Sequence, residues 1–114
     1  MSVKLNTRQV GDVTVVDISG RVTLGEGTSA IRDTLRDLTA KGNKKLLLNL
    51  SEVSYIDSTG IGELVAGFTS AADAGGTVKL LGLTKHVKDV LQISRLYTVF
   101  EPYDDEALAL KSFA

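Results

Sequence analysis

The chain has 114 residues, with 13 Lys plus Arg against 14 Asp plus Glu, a single His, and no Cys or Trp. That length is one ordinary domain, and 43% hydrophobic with 24% charged residues is the balance of a globular protein with its own core. Without cysteine there is no thiolate nucleophile, disulfide or cysteine-ligated metal. One His86 leaves no His–His metal pair, and a net charge of -1 gives no footprint for nucleic acid.

Taken in chain order, Val3-Lys4-Leu5-Asn6-Thr7-Arg8 alternates apolar and polar residues, the period of a half-buried strand. Gly11-Asp12 leads into the β-branched run Val13-Thr14-Val15-Val16-Asp17-Ile18, and the short turn between the two runs predicts an antiparallel hairpin. Gly20 to Gly27 reads as a loop with Thr28 or Ser29 as N-cap. Ile31, Leu35 and Leu38 then fall at helical spacing up to Lys41-Gly42. Lys45-Leu46-Leu47-Leu48-Asn49-Leu50 fits a buried central strand.

After the segment from Ser51 to Gly60, Ile61, Leu64, Val65, Phe68 and Ala72 make one helical stripe that Gly75-Gly76 stops. Thr77 to Leu81 is a further strand, and Val87, Val90, Leu91 and Ser94 predict a helix from Lys85. Val99-Phe100 reads as a short edge strand before Pro102, and Asp104 as the cap of a last helix through Leu108 and Leu110. The order β-β-α-β-α-β-α-(β)-α calls for an α/β fold. We expect a mixed sheet of four to five strands, parallel after the hairpin, with about four helices in one layer rather than two complete ones. No repeat or linker divides the chain, so residues 1–114 read as one domain. The aliphatic run Leu46-Leu47-Leu48 is too short to span a bilayer. Residues 1–15 hold no signal-peptide pattern, and Met1-Ser2 lacks the glycine of a myristoylation site. A cytoplasmic protein without membrane insertion is the expectation.

One segment stands apart. Ser54-Tyr55-Ile56-Asp57-Ser58-Thr59-Gly60-Ile61-Gly62 joins the central strand to the most regular helix. Asp57, Ser58 or Thr59 can cap the helix, and Gly60 and Gly62 permit close backbone approach. The two glycines nonetheless weaken the first turn by up to ~1 kcal/mol each relative to alanine. Stability alone does not account for them.

Ile56-Asp57-Ser58-Thr59-Gly60-Ile61-Gly62 resembles the phosphorylation loop of bacterial anti-sigma factor antagonists, the small STAS-domain proteins. The resemblance extends over almost the whole chain. Leu46-Leu47-Leu48-Asn49-Leu50 is similar to the family's central strand, and Gly75-Gly76 before Val78-Lys79-Leu80 to its next helix-to-strand junction. Val87, Leu91, Leu96 and Phe100 follow its C-terminal spacing, and Asp105-Glu106-Ala107-Leu108 opens a final helix in its style. Arg95 departs from it, standing where many members carry glycine.

The resemblance implies a STAS fold and a binding protein rather than an enzyme, with no cofactor, metal or catalytic residue. Ser58 would be the phosphoacceptor, with Thr59 ranked below it, in a partner-binding loop of Asp57, Ser58, Thr59, Gly60, Ile61 and Gly62. The implied partners are an anti-sigma factor that is also a serine/threonine kinase and a metal-dependent serine/threonine phosphatase. No direct nucleic-acid contact is implied, and the expected state is a monomer or weak dimer. The alternative within the fold is a STAS scaffold or accessory subunit of a stress-sensing or transporter complex. From the residues themselves, a phosphate beside Asp57, with Glu63 a turn on, meets like charge and no arginine within the loop.

Two enzyme readings compete. Gly25-Glu26-Gly27-Thr28-Ser29-Ala30 satisfies G-x-G-x-x-G/A, but the expected long loop and hairpin setting do not suit a dinucleotide fold. Ser58 on a strand-to-helix turn resembles a nucleophile elbow, but Ile56 replaces its first glycine and His86 is the sole imidazole.

Overall fold

In the computed structural model, which describes residues 3–100 and 102–113, the chain opens with the expected hairpin. Met1 and Ser2, where a lipidation signal would stand, lie outside the described residues. Strands β1 (Val3–Val10) and β2 (Val13–Val22) pair antiparallel from Val10↔Val13 to Val3↔Gly20. Gly11 takes the turn at φ 64°, a left-handed backbone that glycine adopts without steric cost.

β2 runs four residues past the expected end at Ile18, to Val22. Two register irregularities against the next strand let it continue, and Val22 is fully buried at its tip. The loop expected from Gly20 to Gly27 therefore shrinks to residues 23–25, and helix α1 (Glu26–Ala40) starts earlier than Thr28 or Ser29. Gly25 occupies the N-cap, and the Thr28 hydroxyl donates to its carbonyl. Gly27 is the reason: a Cβ there would stand 3.1 Å from the Arg21 carbonyl oxygen, so the helix begins pressed against the strand it has just left.

Strand β3 (Lys45–Ile56) is also longer than its apolar run, absorbing Ser51 to Ile56. Helix α2 (Ser58–Asp73), strand β4 (Thr77–Leu81) and helix α3 (Lys85–Ile93) lie where the pattern placed them. The expected edge strand at Val99-Phe100 is instead a single helical turn, α4 (Tyr97–Phe100). Phe100 is fully buried, edge-on to Phe68 of α2 at 5.5 Å, and that packing overrides its strand propensity. What extends the sheet there is an isolated parallel bridge, Leu81↔Tyr103. The last helix, α5 (Glu106–Lys111), is capped by Asp105 rather than Asp104, its carboxylate accepting the Leu108 N–H.

The sheet order is β1-β2-β3-β4, antiparallel in the first pair and parallel in the other two. Alternation along β3 divides the core. Leu46, Leu48 and Leu50 join Ile31 and Leu35 of α1, Leu64 of α2, Val87 and Leu91 of α3, and Phe100 on one face. Leu47 faces the other way, with Val13, Val15, Leu81 and Ala109 of α5. Among the described residues, α1 to α4 thus form one main layer, and α5 covers part of the reverse face.

Two cations hold α5 there. The Arg8 guanidinium bridges Asp17 (2.8 Å) and Glu106 (2.7 Å), joining β1, β2 and α5. The Lys79 ammonium donates to the Ser112 carbonyl and hydroxyl and lies 5.1 Å from the Phe113 ring centre.

Candidate functional site

The parallel strands β2, β3 and β4 run in the same direction and are followed by loops into α1, α2 and α3; β2 and β3 reach furthest and form the rim, paired out to Val22↔Ile56. Asp57 occupies the middle of that rim as N-cap of α2, in extended backbone at φ -103° and ψ -177°. Its Oδ1 accepts the Gly60 N–H at 2.9 Å and the Thr59 hydroxyl at 2.6 Å. Its Oδ2 accepts the Leu24 N–H at 3.2 Å, and its own N–H donates to the Val22 carbonyl. These bonds favour the charged form: the Thr59 hydroxyl first, then the Gly60 and Leu24 N–H groups, hold the Asp57 carboxyl below the ordinary carboxylate range against the opposing effect of burial.

The other expected loop residues separate by role. Ser58 is exposed, and its hydroxyl makes no hydrogen bond with any described residue. Thr59 is exposed too, but its hydroxyl is committed to Asp57. Gly60 is buried, and a Cβ there would lie 2.6 Å from Ile56 Cγ1 and 2.7 Å from the Val22 carbonyl oxygen. Ile61 belongs to the core. Gly62 is exposed, and a Cβ there would meet nothing within 4 Å. Packing thus requires Gly60 and leaves Gly62 without an internal reason.

Glu63, expected to add like charge, is paired with Arg32 of α1 at 3.1 Å. That pair forms part of the wall of a cleft of ≈ 370 Å³ between α1 and α2, lined also by Leu35, Arg36, Ala66 and Gly67. The helices approach closely because Gly67 sits against Leu35, where a Cβ would lie 2.5 Å from Leu35 Cδ1.

Sequence reasoning missed a cluster at the same rim. Arg21 and Tyr55 are register partners across β2 and β3. The Arg21 guanidinium lies 4.6 Å over the Tyr55 ring, and Tyr55 stacks at 4.8 Å on His86 of α3. His86 Nε2 lies 3.2 Å from the Ile56 carbonyl, and since a carbonyl only accepts, this nitrogen donates. The Thr84 hydroxyl donates to the Val53 carbonyl beside it. The residues are far apart in sequence, and no local pattern links them. Leu24 left one legible signal, an apolar residue in a short polar loop; its side chain is 76% exposed.

Neither enzyme reading gains a site. His86 is turned to the Ile56 carbonyl and the Tyr55 ring, and no hydrogen bond joins it to Ser58. The turn before α1 is short, so loop length is no argument against the glycine motif there. Three amides there are already engaged: the Leu24 N–H donates to Asp57, the Thr28 N–H to Thr23 and the Ser29 N–H to Gly25. Among the described residues no three His, Asp or Glu side chains cluster as a metal site, and no helix is long and apolar enough to cross a membrane.

The family model described as "Mlab, STAS domain" matches residues 5–101. An anti-sigma-B factor antagonist of Bacillus subtilis is 28% identical over 101 residues, covering 89% of this chain and 91% of its own. A crystal structure from Thermotoga maritima, described as an anti-sigma factor antagonist, superposes with a TM-score of 0.86 at 25% identity over 96% of this chain and 93% of the other. The Bacillus cell fate determinant SpoIIAA in its phosphorylated form shares the fold, with a TM-score of 0.76 at 18% identity over 97% of this chain and 100% of that one.

Proposed function

The chain belongs to the STAS-domain family of anti-sigma factor antagonists, and from that premise we propose that it is a partner-switching protein controlled by phosphorylation of Ser58. The observation that carries the reading is the contrast between neighbouring hydroxyls: Thr59 is bound to Asp57, whereas Ser58 is exposed and uncommitted at the first position of α2. A kinase needs a hydroxyl it can reach and align, and Asp57 fixes the backbone on which that hydroxyl stands.

In this reading the unphosphorylated loop, Asp57 to Gly62, binds an anti-sigma factor that is also a serine/threonine kinase and so frees a sigma factor. Phosphorylation ends binding, and a metal-dependent serine/threonine phosphatase restores it. The protein acts in the cytoplasm as a binding module, without cofactor or catalytic residue. A phosphate adds a charge of about -1.5 to -2 beside ionised Asp57. The free N–H groups and dipole of the helix start tolerate that anion, so the fold survives. The interface does not: like charges about 4 Å apart cost ~4 kcal/mol at an effective dielectric of 20, roughly a thousandfold in affinity.

The test is calorimetric titration of the wild-type chain, Ser58→Ala and Ser58→Asp with an anti-sigma factor kinase from the same genome, alongside mass spectrometry after incubation with ATP. Wild type and Ser58→Ala should bind, Ser58→Asp should not, and phosphate should appear on Ser58 alone. Equal affinities for the three proteins would sink the reading.

A further inference from the structure

In the Arg21–Tyr55–His86 stack, His86 holds the Ile56 carbonyl, whereas Arg21 has no evident task inside the molecule. Arg8 and Arg32 each meet a carboxylate of their own chain, at 2.8 Å and 3.1 Å. Arg21 meets none among the described residues; it is exposed, and its described contact is the Tyr55 ring. A guanidinium lying on a ring face keeps its N–H edge free, and that planar fork matches a carboxylate in bidentate fashion. Stacking also restrains a side chain that would otherwise lose rotamer freedom on binding.

The stack is continuous with the Ser58 loop. Val22, next after Arg21, accepts the Asp57 N–H and lies against Gly60. Ile56, next after Tyr55, accepts the His86 N–H and precedes Asp57. The same two residues therefore support both features, and exposed Leu24 lies on the loop between them, its N–H held by Asp57.

We propose that the Arg21–Tyr55–His86 stack is the second half of the partner surface and receives a carboxylate of the anti-sigma factor, with Arg21 making the ionic contact. This rests on the function proposed above. It supplies positive charge on a surface whose other half, around Asp57, is negative, and so fixes the orientation in which a partner docks.

The experiment titrates wild type, Arg21→Ala and Arg21→Lys, all unphosphorylated, with the purified anti-sigma factor that wild type binds, at two salt concentrations. Arg21→Ala should weaken binding tenfold or more and reduce its salt dependence. Arg21→Lys should recover only part, and all three should melt together because Arg21 is exposed. Wild-type affinity in Arg21→Ala overturns this proposal alone, whereas a wild type that binds no anti-sigma factor overturns the functional reading and this proposal with it. A third measurement follows the phosphoserine by phosphorus NMR in Ser58-phosphorylated wild type and Arg21→Ala. Matching titration curves are expected. A phosphate that titrates lower in wild type would assign Arg21 to the chain's own phosphate and overturn the proposal.

Discussion

Asp57 Oδ2 accepts the backbone N–H of Leu24 at 3.2 Å, so one carboxylate caps α2 and fastens the loop before α1. The two loops are distant in sequence and are joined at the rim by this bond. Asp57→Ala removes the cap, the tie to Leu24 and the Thr59 partner together, and should cost about 1–2 kcal/mol in urea unfolding. Hydrogen exchange at the Leu24 amide should accelerate more than at core amides of β2. Unchanged exchange at Leu24 would show that the tie does not order the loop.

The glycines of α2 should respond oppositely. At Gly60 an alanine Cβ meets a backbone carbonyl oxygen and two packed side chains, and Gly60→Ala should destabilise by roughly 1–3 kcal/mol. At Gly62 the space is open and the helix gains propensity, so Gly62→Ala should stabilise by up to ~1 kcal/mol. Under the proposed function that gain comes with weaker partner binding, because the added methyl stands on the docking face. Thermal melts and titrations of the two variants check both signs.

Arg95 has φ 63°, the one positive φ among described non-glycine residues. It follows the C-cap of α3, with the Leu96 N–H bonded to the Leu91 carbonyl and the Arg95 N–H to that of Gln92, the Schellman arrangement. A left-handed residue with a Cβ is strained, and glycine is the residue that adopts this backbone without that cost. Arg95→Gly should stabilise by roughly 0.5–1 kcal/mol once the greater unfolded-state entropy of glycine is counted. A lower melting temperature would refute this.

Acid should loosen the C-terminal helix first. The Arg8 guanidinium, by direct hydrogen bonds, holds Asp17 below its usual 3.8 and Glu106 below its usual 4.5. The unfolded chain then binds more protons in acid, so the contribution is complete above about pH 4.5 and is lost as pH falls through the depressed folded values. Stability in urea should be flat from neutrality to about pH 4.5 and fall below it, less steeply in Arg8→Leu. Both side chains are partly exposed, so added salt should shrink the difference.

How much of this was legible in sequence follows from the range of the forces involved. The Asp57-Ser58-Thr59-Gly60 turn is local chemistry, a cap and the groups it caps, and it reads directly. β4 and α3 announce themselves by uninterrupted patterns between glycine and threonine punctuation. The misses share a tertiary cause. The Gly25-Glu26-Gly27 run reads as loop because nothing local reveals that Gly27 must abut the Arg21 carbonyl. Ser51 to Ile56 loses its alternation beside the irregular register of β2, so half a strand looks like a turn. Phe100 carries strand propensity and is overruled by its contact with Phe68. The Arg21–Tyr55–His86 cluster needs three elements brought together, and no spacing encodes it.

β4 pairs with β3 only from Lys45 to Asn49, so the remainder of β3 has a strand neighbour on one side alone. Along its other edge the Val53 and Ile56 carbonyls are met by the side chains of Thr84 and His86. The Ser58 loop therefore stands at the tip of a cantilever, anchored in a full sheet at its base and braced near its end by two replaceable struts. Events at the tip can alter that bracing while the anchored ladder stays intact.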